Sequence, residues 1–229
     1  MNDAVTFGAI FDVDGTLVDS HDAHFLAWKD TLADHGIEYD LEAFGRDFGR
    51  RNPEIIGGLW DELGRGSPDK ELVEEIAEAK ERHFRALLSA SFPEMPGAAD
   101  LIRDLDEAGW GVAIGSSAPA ENVRLSIDLL GTASSLDAVV CGDDVERGKP
   151  EPDVFLEAAG RLGLDPRRCV VIEDACAGVE AAHRAGMPAV AIASKGRTRA
   201  ELSEAELVID SLEEIDHARL EKIIKETTT

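Results

Sequence analysis

The chain has 229 residues, of which 44% are hydrophobic, enough to bury a sizeable core and too many for a disordered polypeptide. Acidic residues outnumber basic ones by 47 to 23, and the resulting formal charge of -24 argues against nucleic acid or an anionic membrane as a partner. No run reaches the roughly 18 apolar residues of a membrane span, and the N-terminus lacks a basic segment followed by an apolar stretch. The three cysteines, Cys141, Cys169 and Cys176, have no metal-ligand spacing. These features predict a soluble, cytoplasmic protein with reduced thiols.

The first predicted element is the run Val5–Phe11, nearly all apolar, as in a parallel strand buried on both faces. It leads directly into Asp12-Val13-Asp14-Gly15. Two carboxylates therefore lie at the carboxyl edge of a sheet, where open α/β folds bind ligands, and Gly15 lets the chain turn sharply. A turn of the backbone between them could bring the two side chains to one point. Converging, they could bind a hard cation and leave one carboxylate to attack or to move a proton. A surface turn in which both acids act as caps is the plainer alternative.

After Ser20 the apolar spacing becomes helical, through Phe25, Trp28 and Leu32 and again through Ile55, Ile56, Leu59 and Leu63. Gly64-Arg65-Gly66-Ser67-Pro68 breaks the pattern, and Leu72, Ile76, Phe84 and Leu87 resume it up to the loop 93–97. Residues 18–93 are thus predicted to form a helical lid inserted after the first strand, with 1–17 and 94–229 as a discontinuous core. A lid can exclude water and supply substrate contacts.

Within that core, helices and short apolar strands alternate. Helices are predicted at Ala98–Ala108, Ala120–Leu130, Asp153–Leu162 and Gly178–Ala185. Strands are predicted at Gly111–Gly115, Ala138–Cys141, Cys169–Ile172 and Ala189–Ile192. Such βα repeats make an α/β fold, a Rossmann-like parallel sheet with helices on both faces. The tail 221–229 is expected to fray.

Three further strand ends carry polar groups. Ser116 and Ser117 follow the second strand, where a hydroxyl and backbone N–H groups could hold phosphoryl oxygens. Gly148-Lys149-Pro150 sets a lysine just before a helix. Val171-Ile172 runs into a second acidic pair, Glu173-Asp174. Each alone reads as a cap or a solvated charge. Together they supply two acids, a hydroxyl, a cation and a metal-binding pair on one sheet edge, the set that phosphoryl transfer needs.

These four motifs, in this order and spanning essentially the whole chain, resemble those of the haloacid dehalogenase superfamily. The resemblance implies that Asp12 is phosphorylated and that Asp14 acts as general acid/base while giving Mg²⁺ a backbone carbonyl. It further implies that Ser116 and Lys149 hold the phosphoryl group and that Asp174, with Glu173 directly or through water, completes the Mg²⁺ site. Within the superfamily, His24-Phe25-Leu26-Ala27-Trp28-Lys29 and Lys80 are similar to lid segments of the β-phosphoglucomutase-like subgroup. By that resemblance His24, at the substrate, helps couple lid closure to acid/base readiness, Lys80 selects the sugar phosphate, Trp28 belongs to the same substrate-binding set, and Arg51, in preference to Arg50, grips a distal phosphate. Lys80 also sits in a charged helical stretch with Glu78 and Glu81. The chain departs from the mutase pattern in two places: Ser116-Ser117-Ala118-Pro119 lacks the lysine after the serines, and the lid arginine is shifted. The implied activity is Mg²⁺-dependent conversion of β-glucose 1-phosphate to glucose 6-phosphate by a monomer acting on a small phosphorylated metabolite. A sugar-phosphate or phosphoglycolate phosphatase is the alternative enzyme, and a phospho-acceptor signalling or partner-binding domain is the non-enzymatic one.

Overall fold

The computed structural model describes residues 6–48 and 50–227. Val5, Gly49, Thr228 and Thr229, which the sequence assigned to the first strand, the lid arginine segment and the tail, lie outside the described residues. The chain forms two compact units, one through Asp19 and again from Pro93, the other Ser20–Phe92. Among the described residues, no helix is long and apolar enough to cross a membrane.

The first unit is built on six parallel strands: β1 (Gly8–Phe11), β2 (Gly111–Gly115), β3 (Ala138–Val140), β4 (Cys169–Glu173), β5 (Ala189–Ile192) and β6 (Leu207–Ile209). Their order across the sheet is β3-β2-β1-β4-β5-β6. The chain fills one side from β1 to β3 and then crosses to build the other from β4 to β6. The neighbours β1 and β4 therefore flank a topological switch point, the position where such sheets open a crevice at their carboxyl ends. Phe11 is level with Ile114 on one side and Ile172 on the other, so the residues that follow all three emerge at one edge.

Every residue of β1, β2, β4 and β5 is buried, which explains why each reads as a continuous apolar run. Ile10, Phe155, Val171 and Ala182 belong to one core cluster against the sheet. The Rossmann-like α/β reading holds, with three local corrections. Residues 6 and 7 precede the first strand, which starts at Gly8. β6 has no counterpart in the sequence reading: it is three residues long, half-buried and at the edge, so it has neither length nor alternation to detect. The tail does not fray from residue 221. A helix runs His217–Thr227, pinned by Leu220 and Ile224 in the core and by Asp104, which accepts from the His217 backbone N–H at 3.0 Å.

The second unit contains α1 (His21–Ala33), α2 (Leu41–Asp47), α3 (Asn52–Glu62) and α4 (Lys70–Ala90). Trp28, Leu32, Tyr39, Phe44, Ile56 and Trp60 form its own core. Asp40 and Asp69 cap α2 and α4 by accepting from backbone N–H groups three residues on, at 2.8 Å each.

Candidate active site

At the end of β1 the Asp12 N–H still donates to Ile172 O at 2.9 Å, extending the ladder one residue and fixing the Asp12 side chain at the edge. The chain then reverses: Leu17 and Val18 donate to Val13 O, and Gly15 donates to Val18 O. Gly15 has φ of 78°, and a Cβ there would lie 2.1 Å from Asp174 Oδ2. Conformation and space both demand glycine. Asp14 is half-buried beside this turn, close enough for its charge to act on Asp12.

Lys149 joins the two acidic motifs. Its Nζ donates to Asp12 Oδ1 at 2.6 Å and to Glu173 Oε1 at 2.7 Å, and it sits 4.8 Å from the centre of the Phe155 ring. Its burial disfavours the ammonium, but the Asp12 and Glu173 charges outweigh that and raise its pKa. Glu173 Oε2 accepts from the N–H groups of Asp174 and Ala175, both at 2.6 Å, so this side chain is fixed at both oxygens. Gly178 makes room for it: a Cβ there would fall 1.9 Å from Glu173 Oε1.

Ser116 follows β2 and is buried; its N–H donates to Val140 O, and its Oγ accepts from Ala118 N at 3.2 Å. The hydroxyl thus shapes the turn and keeps its own proton to donate. Ser117 is exposed.

In the second unit Lys80 is 2% exposed and Glu81 8%. Lys80 Nζ reaches His24 Nδ1 at 2.9 Å and Glu81 Oε1 at 2.8 Å, and lies over the Trp28 and Phe84 rings. Asn52 donates to the same Glu81 oxygen at 2.7 Å, and His24 stacks on Phe84 with 4.0 Å between ring centres. The charged stretch is therefore not uniformly solvated: α4 turns Lys80 and Glu81 inward as a pair. Glu81 resists the upward push of its burial because Lys80 and Asn52 favour its charged form, and its pKa falls. Trp28 is buried in the core of this unit. Arg50 is held by Asp47 at 2.8 Å, and Asp47 in turn accepts from the Tyr39 hydroxyl at 3.1 Å. The exposed Arg51 side chain makes no ion pair or hydrogen bond among the described residues.

Sequence reasoning missed Glu81 and Asn52, and it missed Ser194, whose Oγ donates to Asp174. Nothing in the spacing separates these residues from ordinary polar positions; only their partners in the folded chain do.

A family model described as a haloacid dehalogenase-like hydrolase matches residues 8–186. The chain belongs to this family. It is 34% identical over 186 residues to fructose-1-phosphate phosphatase YqaB of Escherichia coli, covering 80% of this chain and 94% of that one. It is 32% identical over 191 residues to β-phosphoglucomutase of Bacillus subtilis, covering 80% and 81%. A crystal structure of a CbbY variant from Rhodobacter sphaeroides, in complex with xylulose-(1,5)bisphosphate, matches with a TM-score of 0.85 at 28% identity over 94% of this chain and 99% of that one. The chain is accordingly a haloacid dehalogenase-type phosphatase or phosphotransferase.

The acidic edge suits a divalent cation. Asp12, Glu173 and Asp174 are all buried and bring oxygens within 4.8 Å of one another. Burial and the neighbouring Glu173 raise the Asp12 carboxyl to about 7 despite Lys149, and burial with Glu173 and Asp12 raises Asp174 well above the usual range. Lys149 and the more distant Arg197, 3.9 Å from Asp174, leave the charge of three clustered carboxylates undercompensated, and a hard cation would complete the balance.

A pH dependence follows. Between about 4 and 7 the folded metal-free protein retains a proton on Asp12 that the unfolded chain releases, so its stability falls as pH rises through that window. The metal-free melting temperature should be lower at pH 8 than at pH 6, Asp12→Asn should flatten the difference, and Mg²⁺ should restore stability at pH 8. A melting temperature that rises from pH 6 to pH 8, or that ignores Mg²⁺, would contradict this account.

The Lys80–Glu81 pair yields a stability prediction of its own. Glu81→Ala strands a buried ammonium and should cost about 3–5 kcal/mol in urea unfolding, whereas Lys80→Met combined with Glu81→Leu should recover most of it. A double variant no more stable than Glu81→Ala would show that the pair is not the source of the loss.

Proposed function

We propose that this protein is a phosphatase for a small sugar or polyol phosphate, working through an aspartyl phosphate on Asp12. The observation that carries this reading is Lys149 bridging Asp12 and Glu173, which orients the Asp12 carboxylate and favours its charged form. An oxygen of Asp12 attacks phosphorus while the bond to the sugar oxygen breaks, and Asp14 protonates that leaving oxygen. Water then gives its proton to Asp14 and attacks the acyl phosphate, releasing inorganic phosphate and restoring Asp12. Ser116, with Ser117 beside it, donates to phosphoryl oxygens, and Lys149 offsets their charge. Asp12, Asp174, the Asp14 backbone carbonyl and, through water, Glu173 would hold Mg²⁺, which when bound neutralises charge on the phosphoryl group. In the helical unit, which we assign as the lid, His24, Lys80 and Arg51 are proposed to recognise the remainder of the substrate, with Trp28 supporting Lys80 from the core of the unit.

Phosphatase is preferred over mutase because a mutase must retain a bisphosphate between its two half-reactions. The serine turn here carries Ala118 and Pro119 rather than a cation, and the Lys80 charge is already matched by Glu81. The mutase reading draws support from the His24–Lys80 contact and the similarity to the Bacillus subtilis enzyme. Purified protein with Mg²⁺ should be given fructose 1-phosphate, a hexitol phosphate, and β-glucose 1-phosphate primed with glucose 1,6-bisphosphate. Free phosphate outpacing glucose 6-phosphate supports the phosphatase; glucose 6-phosphate formed much faster than phosphate overturns it in favour of the mutase.

A further inference from the structure

We infer that Ser194, on the loop after β5, is a positioning residue that fastens one oxygen of Asp174 and presents the other to a divalent cation, while Arg197 on the same loop sets a positive charge beside that carboxylate. This rests on the acidic edge being a cation site, as proposed above. Ser194 is buried, and its Oγ donates to Asp174 Oδ2 at 2.8 Å. Arg197 Nε lies 3.9 Å from the same oxygen. On the opposite flank the Gly15 backbone passes so closely that a Cβ would meet Oδ2. Three elements therefore crowd Oδ2, and Oδ1 is the oxygen left for a ligand bond.

The loop holds its shape by its own hydrogen bonds. Ala193 N–H donates to Ile209 O in β6 at 2.8 Å, Ser194 N–H to Ile192 O at 2.9 Å, and Arg197 N–H to Ser194 O at 3.0 Å. The short edge strand thus has a task at the site: it anchors the loop that orients Asp174.

The two residues act in opposite directions on affinity. Ser194 donates to the carboxylate without adding charge, so it fixes orientation and favours the ionised form. Arg197 Nε lies too far from Oδ2 to hold it by a hydrogen bond, and its positive charge repels an arriving cation. Losing the hydroxyl should weaken cation binding, and losing the guanidinium charge should tighten it.

The test is calorimetric titration of Mg²⁺ into metal-free full-length protein, which reads binding without turnover. Ser194→Ala should weaken Mg²⁺ by about tenfold, Ser194→Thr should retain most of the wild-type affinity, and Arg197→Gln should bind several-fold tighter. If Asp174→Asn loses Mg²⁺ while Ser194→Ala and Arg197→Gln both stay within twofold of wild type, this inference fails and the cation site stands. If wild-type protein binds no Mg²⁺, both readings fall. Should Ser194→Ala not fold, Arg197→Gln decides alone, because its side chain is partly exposed and an affinity unchanged or weakened would overturn the predicted direction.

Discussion

Asp12→Asn is expected to lower turnover by about 10⁴-fold or more, the scale of losing a nucleophile that no neighbour can replace. The same change should leave the metal-free protein at least as stable at pH 8. Asp12 is 6% exposed, and burial with the Glu173 and Asp14 charges raises its carboxyl to about 7 against the pull of Lys149. A neutral amide of the same shape removes one carboxylate from the crowded edge while Lys149 keeps Glu173 as a partner. Activity and stability thus move in opposite directions, which distinguishes a nucleophile from a structural aspartate. Quenching wild-type protein during turnover should trap a phosphate-mass adduct on the peptide containing Asp12, and the variant should give none. Asp14→Asn should still form the adduct from a substrate with a good leaving group but discharge it slowly, since the departing alkoxide and the attacking water both depend on that proton carrier. Normal turnover in Asp12→Asn would remove the covalent pathway altogether.

Which parts of this site are legible in the sequence depends on the physics of each segment. β1 and β4 announce themselves because burial on both faces forces unbroken apolar runs, and the acids that end them stand out against that background. Lys149 is separated from Asp12 by 137 positions, yet Gly148-Lys149-Pro150 places it before a helix on the same edge, so topology brings it in. Ser194 and Glu81 are different. Each is a common polar residue whose role comes from being buried against a partner. Burial of one helix face at Lys80–Glu81, or of one loop residue after β5, leaves no periodic trace. The edge strand β6 is invisible for a related reason: two half-buried residues and one buried one carry too little pattern to distinguish a strand from a loop. The two arginines just before α3 lie between these cases. The sequence offers both Arg50 and Arg51, with Arg51 preferred by resemblance, and the Asp47 and Tyr39 contacts show that Arg50 is the tethered one.

Lys149→Ala should be the most destabilising single change at the core site, costing about 3–5 kcal/mol at pH 8. The lysine donates to two buried carboxylates at 2.6 and 2.7 Å, and its removal leaves both uncompensated in a place water scarcely reaches. The loss should shrink on acidification, because Asp12, already raised to about 7 with the ammonium beside it, rises further without it and takes up a proton in its place. Urea midpoints at pH 6 and pH 8 provide the check: the gap between variant and wild type should be clearly narrower at pH 6. Mg²⁺ should narrow the gap at pH 8 as well, since a cation at the same edge supplies part of the missing charge, yet turnover should stay low because phosphoryl oxygens still lack the ammonium. Lys149→Arg should not restore activity. A planar guanidinium cannot replace a compact ammonium that lies 4.8 Å from the Phe155 ring centre while donating to two separate carboxylates. A gap independent of both pH and Mg²⁺ would mean that Lys149 stabilises the fold through packing of its alkyl chain rather than through the charge it places between Asp12 and Glu173.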